Sequence, residues 1–176
     1  TLLVPDEFPL ALHQRGFENA AQHEQLADGS HRYQWQLQHL DAISIEAGMP
    51  PPTETAPMVQ ASSYADWQQF GTWWWDLIEE EIRVSPAMQS KIAALTANAT
   101  TNEEKLTAIY NFVITDIRYN AWEFGVHGYQ PYSAPVIFSR GFGDCKDKAI
   151  LLRAMLGEVG IESYPVLIQS SGRREQ

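Results

Sequence analysis

The spacing of hydrophobic and polar residues changes along the chain, from a two-residue period near the N-terminus to a helical period further on. Between residues 32 and 40 aromatic or apolar side chains alternate with polar ones, as in a half-buried antiparallel strand. Asp28-Gly29 precedes this stretch and predicts a hairpin with residues 20–26. Residues 10–14 predict a further short strand. The first part of the chain is therefore predicted to be an antiparallel β segment.

A proline-rich stretch at residues 46–57 follows the β segment. Consecutive prolines make a chain stiff and extended, which is typical of a connector. We therefore predict a domain boundary between residues 60 and 61, with the β segment in 1–60 and the rest in 61–176.

From residue 64 onward apolar residues recur at helical spacing and predict helices over about residues 64–83, 86–97 and 102–117. Candidate N-capping residues precede them: Ser62 or Ser63, Ser85, and Thr101, which forms a capping box with Glu104. The buried stripe predicted for the third helix consists of Leu106, Ile109, Tyr110, Val113, Ile114 and Ile117.

The stretch Gly141–Ala149 predicts a tight loop followed by a fourth helix. Its two glycines allow close approach of the backbone, and Asp144 can cap a helix that begins at Cys145. The helix should end near Val159, with Gly160 in the left-handed conformation. One predicted stripe of this helix consists of Cys145, Ala149, Leu152, Leu156 and Val159.

Cys145 is the single cysteine of the chain, and its predicted place at a helix N-terminus bears on its chemistry. The helix dipole and the ammonium groups of Lys146 and Lys148 favour the thiolate, while Asp144 and Asp147 oppose it. The residues alone leave open which influence is larger. They also leave open the ordinary alternative, a cysteine that packs as a small buried hydrophobic residue.

The stretch from Gly141 to Ala149 resembles the core of the bacterial transglutaminase-like superfamily, whose members are papain-like cysteine enzymes. Several separated segments agree in order and spacing over about residues 100–170, namely 117–119, 132–134, 151–156, 160–161 and 166–168. In that family the cysteine opens the central helix, and a histidine and then an aspartate follow on strands of the adjacent sheet. The resemblance carries the nucleophile over to Cys145, but no histidine occurs after His127.

The fold class expected from this resemblance is α+β, a papain-like core that follows an N-terminal antiparallel β segment. The core is expected to be truncated after the nucleophile helix and the first strand, predicted at Ser163–Gln169. Residues 29–67 also resemble the end of a β-sandwich domain of unknown function that often precedes such cores. The missing strands should leave Leu152, Met155 and Val166 partly exposed and favour self-association or pairing with a companion C-terminal fragment.

Two further site residues precede Cys145. In transglutaminases an aromatic N–H helps to bind the oxyanion, and Tyr132 is the nearest match by spacing, although a Tyr that only lines the groove fits equally well. His127 is the one histidine of the core-like region and a weak alternative as catalytic base, since it precedes Cys145, opposite to the family order. Residues 120–143 read as a long loop that forms one wall of the groove.

The composition of the chain excludes some classes of binding partner. The net charge of −10 and the lack of a basic stripe argue against nucleic acid as a partner, and no apolar run is long enough for membrane insertion. His13, His23, His31 and His39 are irregularly spaced, so we predict neither a metal nor a cofactor. By resemblance alone, the protein is expected in the periplasm or cell envelope.

The expected function is thiol-dependent acyl transfer, or hydrolysis of an amide or peptide bond, through a cysteine acyl-enzyme. The expected partner is a protein or peptide substrate. The first alternative is a non-catalytic domain of the same fold that binds peptide or cell-envelope material, and the second is a scaffold with a structural cysteine. Because the family's histidine and aspartate have no counterpart here, the isolated chain is expected to be inactive.

Overall fold

The computed structural model describes residues 1–121 and 124–168 of the chain. They form two compact units, residues 1–71 and residues 72–168, the first rich in strands and the second in helices. The predicted α+β class is therefore confirmed. The domain boundary predicted between residues 60 and 61 stays a prediction. Within the described ranges, no helix combines the length and apolar character needed to cross a bilayer.

The first unit contains two small antiparallel sheets. The strands are β1 Leu2–Val4, β2 Ala11–Arg15, β3 Gln22–Gln25, β4 His31–Gln34 and β5 Met58–Ser62. One sheet has the order β1-β4-β3, and the other pairs β2 with β5. The β3–β4 pair, in which Gln22 lies opposite Gln34 and Gly29 turns the chain at φ 87°, confirms the predicted hairpin. The strand predicted as far as residue 40 is wrong beyond Gln34, where β4 ends.

The proline-rich segment is only partly extended. A short helix, α1, spans Pro52–Thr55 with a proline in its first turn, and β5 follows it directly. The Arg15 guanidinium on β2 donates to the carbonyl oxygen of Ala56 at 3.2 Å and so binds the end of α1. The prediction of a purely extended connector is wrong because a proline fits the first turn of a helix as well as it fits an extended chain.

The second unit is built mainly from helices. They are α2 Trp67–Ile78, which begins in the first unit, α3 Pro86–Thr96, α4 Asn102–Thr115, α5 Ala134–Arg140 and α6 Cys145–Glu158, with single 3₁₀ turns at Glu79–Glu81 and Gly125–Gly128. Two short strands, β6 Arg118–Tyr119 and β7 Phe142–Gly143, pair in parallel. The three helices predicted between residues 64 and 117 are present in the predicted order.

The helix caps follow the sequence signals at two of the three predicted starts. Ser85 accepts a hydrogen bond from the Met88 N–H at 3.3 Å, and Thr101 and Glu104 form the predicted capping box on α4. The cap predicted for α2 is wrong, because the Asp66 carboxylate accepts from the Gln69 N–H at 2.8 Å. Ser62, the last residue of β5, instead accepts from the Tyr64 N–H.

The core of the second unit lies between α3, α4, α5 and α6. Of the stripe predicted for α4, Ile109 and Val113 are buried, as is Ile117 just beyond the helix, whereas Leu106, Tyr110 and Ile114 are 42–46% exposed. Phe112, absent from the predicted stripe, is buried. The helix carries two neighbouring apolar rows at helical spacing, and only its packing against α3 and α6 decides which one is buried.

The segment predicted as one long loop at residues 120–143 contains the helix α5. Ser133 occupies its N-cap position, Pro135 lies in its first turn, and Gly141 ends it in the left-handed conformation at φ 70°. Proline and glycine are typical of loops, but at these positions they mark the beginning and end of a helix.

Residues 161–168 contain no strand, so the strand predicted at Ser163–Gln169 is wrong as far as Ile168; Gln169 lies outside the described residues. A strand needs a hydrogen-bonded neighbour, and none of the described segments pairs with this one. Val166 is 75% exposed and Leu152 is half-buried, as expected, but Met155 is fully buried, contrary to expectation.

Candidate active site

The helix α6 begins at Cys145 and is fixed there by a reciprocal pair of aspartates. Asp144 is the N-cap, and its Oδ1 accepts from the Asp147 N–H at 3.1 Å. In return the Asp147 Oδ2 accepts from the Asp144 N–H at 3.3 Å. Both carboxylates are almost completely buried, so the first turn around Cys145 has a single defined geometry.

The other end of α6 matches the prediction closely. Gly160 has φ 79°, its N–H donates to the Gly157 carbonyl, and the Ile161 N–H donates to the Leu156 carbonyl at 3.0 Å. These are the two hydrogen bonds of the Schellman motif. The helix that carries the cysteine is therefore capped at both ends.

The chain enters α6 through two glycines with different roles. Gly141 adopts the left-handed conformation that ends α5. At Gly143 a Cβ atom would lie 2.6 Å from the Cβ of Asp147, which is closer than real Cβ contacts. Gly143 is therefore the residue that lets the loop approach the first turn of α6, and the closely approached loop predicted from the two glycines is present.

Residues after α4 hold the segment that leads to Cys145. The Arg118 N–H donates to the Gly141 carbonyl and the Asn120 N–H to the Gly143 carbonyl, both at 2.9 Å. The Lys148 ammonium donates to the Ile117 carbonyl at 2.8 Å. The β6–β7 pair thus fixes the approach to the cysteine from one side.

The Cys145 side chain is exposed, which excludes the alternative of a buried structural cysteine. The stripe predicted to include it is wrong in part. The buried face of α6 consists of Asp147, Ile150, Leu151, Ala154, Met155 and Leu156, while Ala149, Leu152 and Val159 are half-buried. In the described part of the chain no acceptor is found for the Cys145 backbone N–H, so this helix-terminal donor is available to a ligand.

The two lysines predicted to favour the thiolate, Lys146 and Lys148, bind different partners. Lys146 forms an ion pair with the Asp144 carboxylate, so its charge is compensated at once. Lys148 donates to a neutral carbonyl, that of Ile117, so no carboxylate of the described residues compensates its charge. The positive end of the α6 dipole and Lys148 are therefore what favours negative charge near Cys145.

Tyr132 lies in a stack of planar groups that leads to the first turn of α6. Its ring centroid is 3.7 Å from that of His127, with 19° between the planes, and the Arg140 Cζ lies 4.2 Å from the Tyr132 centroid. The Tyr132 N–H donates to the Asp147 Oδ1 at 2.9 Å. Within the described ranges its phenolic oxygen has no hydrogen-bond partner, so the phenol remains available as a donor.

His127 belongs to the 3₁₀ turn Gly125–Gly128 and faces the Gln130 carbonyl through Nδ1, at 3.1 Å. A carbonyl oxygen can only accept, so Nδ1 carries the proton and the neutral ring has its lone pair on Nε2. Gln130 is held in turn, because its amide donates to the Glu81 carboxylate at 3.1 Å. This is a tautomer that a general base can use.

Comparison with known proteins identifies this region. Residues 89–173 match the family model of the transglutaminase-like superfamily. This part of the chain is similar to a transglutaminase-like core. The match includes the whole of α6 and Cys145, and it confirms the family expected from the stretch Gly141–Ala149.

A solved structure described as "a putative protease" from Parabacteroides distasonis has the same fold as this chain, with a TM-score of 0.70 over 91% of it. The two share 24% identity, which supports the likeness of fold alone. The chain spans 31% of the length of that protein. A search among curated proteins found no match. The relation of residues 29–67 to a β-sandwich domain stays a prediction.

Outside the transglutaminase-like core, the first unit contains a polar chain of Asp6, His31 and His23. The His31 ring nitrogens lie 3.0 Å from Asp6 Oδ1 and 2.8 Å from His23 Nε2. The described residues include no group of three or more histidine, cysteine or acidic side chains arranged to hold a metal ion. A cleft of about 660 Å³ lies in the same unit, and no residue of the Cys145 site lines it.

Two residues of the transglutaminase-like core, Asp147 and Arg140, have a role at the site that was not predicted from the sequence. Asp147 accepts from Tyr132, Arg140 and Asp144, and Arg140 connects Tyr132 with Asp147. Asp147 could have been found, because it stands three residues after a capping aspartate, in the position of a capping-box partner. No local sequence signal marks Arg140, since its partners are brought together only by the packing of α5 on α6.

Proposed function

We propose that this transglutaminase-like core performs acyl transfer, or hydrolysis of an amide or peptide bond, through an acyl-enzyme on Cys145. The observation that carries the proposal is an exposed thiol on the first residue of a doubly capped helix within the matched segment. A nucleophilic cysteine needs access to substrate and a positive local field, and this position provides both.

The reaction begins when the Cys145 thiolate attacks the carbonyl carbon of the substrate. A C–S bond forms and the carbonyl π electrons move to the oxygen, giving an oxyanion. The Cys145 N–H donates to this oxygen, and the Tyr132 phenol is the second donor. Collapse of the intermediate breaks the C–N bond, and the leaving amine takes a proton. Water or another amine then releases the acyl group.

The proton of the thiol must go to a base. The family uses a histidine after the central helix, and the sequence has none after His127. We therefore expect residues 1–176 alone to be inactive, with the base supplied by a companion segment. His127 is the alternative within this chain, because its neutral ring has the lone pair on Nε2. By the same resemblance, the substrate would be a protein or peptide of the periplasm or cell envelope.

A second function, binding of peptide without catalysis, is favoured by exposed apolar side chains close in sequence to His127. Phe124, Val126 and Tyr129 are 77%, 55% and 68% exposed. The Tyr129 ring also contacts Trp73 edge-on, with centroids 6.3 Å apart. Exposed aromatic groups of this kind commonly mark binding surfaces. Such side chains can bind the substrate of an enzyme or the ligand of a non-catalytic binding domain.

The test compares the Cys145 thiol in the native and the urea-denatured chain at neutral pH. Native residues 1–176 should react with iodoacetamide several times faster than the denatured chain, and Cys145→Ala should not react. A native rate at or below the denatured rate would refute the thiol mechanism. Amide hydrolysis and amine incorporation are measured in parallel, with Cys145→Ala as the blank. Turnover by the native chain would contradict the expected inactivity, and His127→Ala would then show whether His127 is the base.

A further inference from the structure

We propose that Arg140 is a positioning residue for this reaction. Acting through Asp147 and Tyr132, it keeps the thiol-bearing turn and the phenol in one fixed relation, so that both donors meet the same oxyanion. The inference rests on the function proposed above, and it concerns a residue that touches neither the thiol nor the phenolic oxygen.

The Arg140 guanidinium makes four contacts at the end of α5. Its Nη2 donates to Asp147 Oδ2 at 2.5 Å and its Nε donates to the Phe142 carbonyl at 2.7 Å. Its Cζ lies 4.2 Å from the Tyr132 centroid and 4.7 Å from the Phe142 centroid. Only 17% of the side chain is exposed. A planar group with several donors can stack and hydrogen-bond at the same time, which an ammonium group cannot.

The Asp147 carboxylate is where the three segments meet. Oδ1 accepts from the Tyr132 N–H at 2.9 Å, and Oδ2 accepts from Arg140 and from the Asp144 N–H. The first donor lies before α5, the second at its end, and the third at the cap of α6. Because the side chain is 3% exposed, water does not compete strongly for these bonds.

The two candidate oxyanion donors belong to the segments that this carboxylate joins. The Cys145 N–H lies in the turn capped by Asp144 and Asp147, and the Tyr132 phenol extends from the residue whose N–H Asp147 accepts. Oxyanion donors act only when they lie at hydrogen-bond distance from one point. Without Arg140, Tyr132 keeps its stack on His127 but loses the guanidinium that lies over its ring, and the carboxylate loses its charged partner.

Two reagents separate positioning from general reactivity of the thiol. The thiolate displaces iodide from the tetrahedral carbon of iodoacetamide, so a C–S bond forms as the C–I bond breaks and no oxyanion arises. With para-nitrophenyl acetate the thiolate attacks a carbonyl carbon, an oxyanion forms, and the C–O bond breaks to release para-nitrophenolate. Both reactions need the thiolate, and only the second needs the donors. The ratio of the two rates therefore reports on the oxyanion site.

Arg140→Gln should lower the acylation rate of the chain about tenfold while the alkylation rate changes less than about twofold, since losing one donor outright costs about 10²–10³ in rate. Arg140→Lys keeps the charge but loses the Nε donor and the stack, so its ratio should fall between those of Arg140→Gln and the unchanged protein. Glu104→Ala is the control, because it removes the side-chain acceptor of the capping box on α4 and should leave the ratio unchanged.

All variants are compared well below their unfolding temperatures, which circular dichroism establishes. If Arg140→Gln does not fold, Arg140→Lys alone must lower the ratio. An unchanged ratio with a fast native acylation would overturn the positioning role and leave the proposed function standing. An equal fall of both rates would also overturn it, because that is the result of a general loss of structure. Native acylation no faster than that of the denatured chain would refute the proposed function itself, and the inference with it.

Discussion

Gly143→Ala should destabilise the protein, although the same change usually stabilises. The φ angle of Gly143 lies outside the left-handed region, so the backbone itself accepts alanine. The obstacle is space, because the new Cβ would lie 2.6 Å from Asp147 Cβ and 2.9 Å from Asp147 Oδ2. Both atoms belong to a buried side chain that is fixed by Tyr132 and Arg140.

The magnitude follows from the two ways in which the clash can be relieved. If the loop and helix move apart, the cost is that of one overpacked methyl group, about 1–3 kcal/mol. If the Asp147 carboxylate swings away, it loses charge-assisted hydrogen bonds that contribute about 1.5–3 kcal/mol each. The cheaper way sets the result, so we expect a loss of about 2 kcal/mol. In a chain of this size that lowers the melting temperature by about 4–8 °C.

The assay is thermal unfolding followed by circular dichroism, with Gly157→Ala as the control in the same helix. Gly157 lies in the last turn of α6, and a Cβ there would meet only the Arg153 guanidinium at an ordinary 3.6 Å. Alanine should stabilise there by about 0.5–1 kcal/mol, because it restricts the unfolded chain and favours the helix. The two substitutions should therefore shift the melting temperature in opposite directions, downward for Gly143→Ala and upward for Gly157→Ala. A melting temperature for Gly143→Ala equal to or above that of the unchanged protein would refute this expectation.

Three further results are expected. Cys145→Ala should abolish reaction with thiol reagents and turnover of the complete enzyme yet change stability by less than about 0.5 kcal/mol, since the side chain is exposed; persistent turnover would remove the thiol mechanism. Tyr132→Phe should slow acylation by para-nitrophenyl acetate but not alkylation by iodoacetamide; equal rates would show that the phenol is not a donor. Hydrogen bonds from the Thr100 N–H and hydroxyl and from the Thr101 N–H lower the pKa of Glu104 below its ordinary value near 4.5. A carboxyl group whose pKa is lowered on folding stabilises the protein fully above its unfolded-state pKa near 4.5, and this stabilisation is lost as the pH falls through the lower folded-state pKa. The melting temperature of Glu104→Gln should therefore fall less than that of the unchanged protein as the pH is lowered through this range; an identical pH dependence would contradict the assignment.

The features predicted well from sequence are those whose cause is local. The caps at Ser85, Thr101 and Asp144 and the left-handed Gly160 each depend on a few consecutive residues. A short oxygen-bearing side chain satisfies free N–H groups at a helix start, and glycine adopts positive φ at its end, whatever surrounds the helix. For this reason the helix start at Cys145 could be placed correctly from sequence.

The features predicted poorly depend on tertiary packing, that is, on which helix faces pack together and which strands pair. Cys145 was assigned to the same stripe as Leu156, but α6 is apolar over much of its circumference, and its packing on α4 and α5 selects a different face. The strand predicted at Ser163–Gln169 needs a partner strand, and propensity alone does not provide one. Arg140 belongs to the same class, because its contacts with Tyr132 and Asp147 exist only once α5 and α6 have packed.

The charges at the start of α6 determine what kind of group this site can attract. Lys146 is paired with Asp144, and Arg140 with Asp147, so the formal charges of these four groups cancel. The positive end of the helix dipole, the Lys148 ammonium and the unused Cys145 N–H remain, and all three favour negative charge near the start of the helix. In the acyl transfer proposed above, a neutral carboxamide would meet little net attraction on arrival, whereas the oxyanion formed from it would be stabilised once the C–S bond has been made. Such an arrangement would act more strongly on the transition state than on the bound substrate, which is what the proposed catalysis requires and binding alone does not.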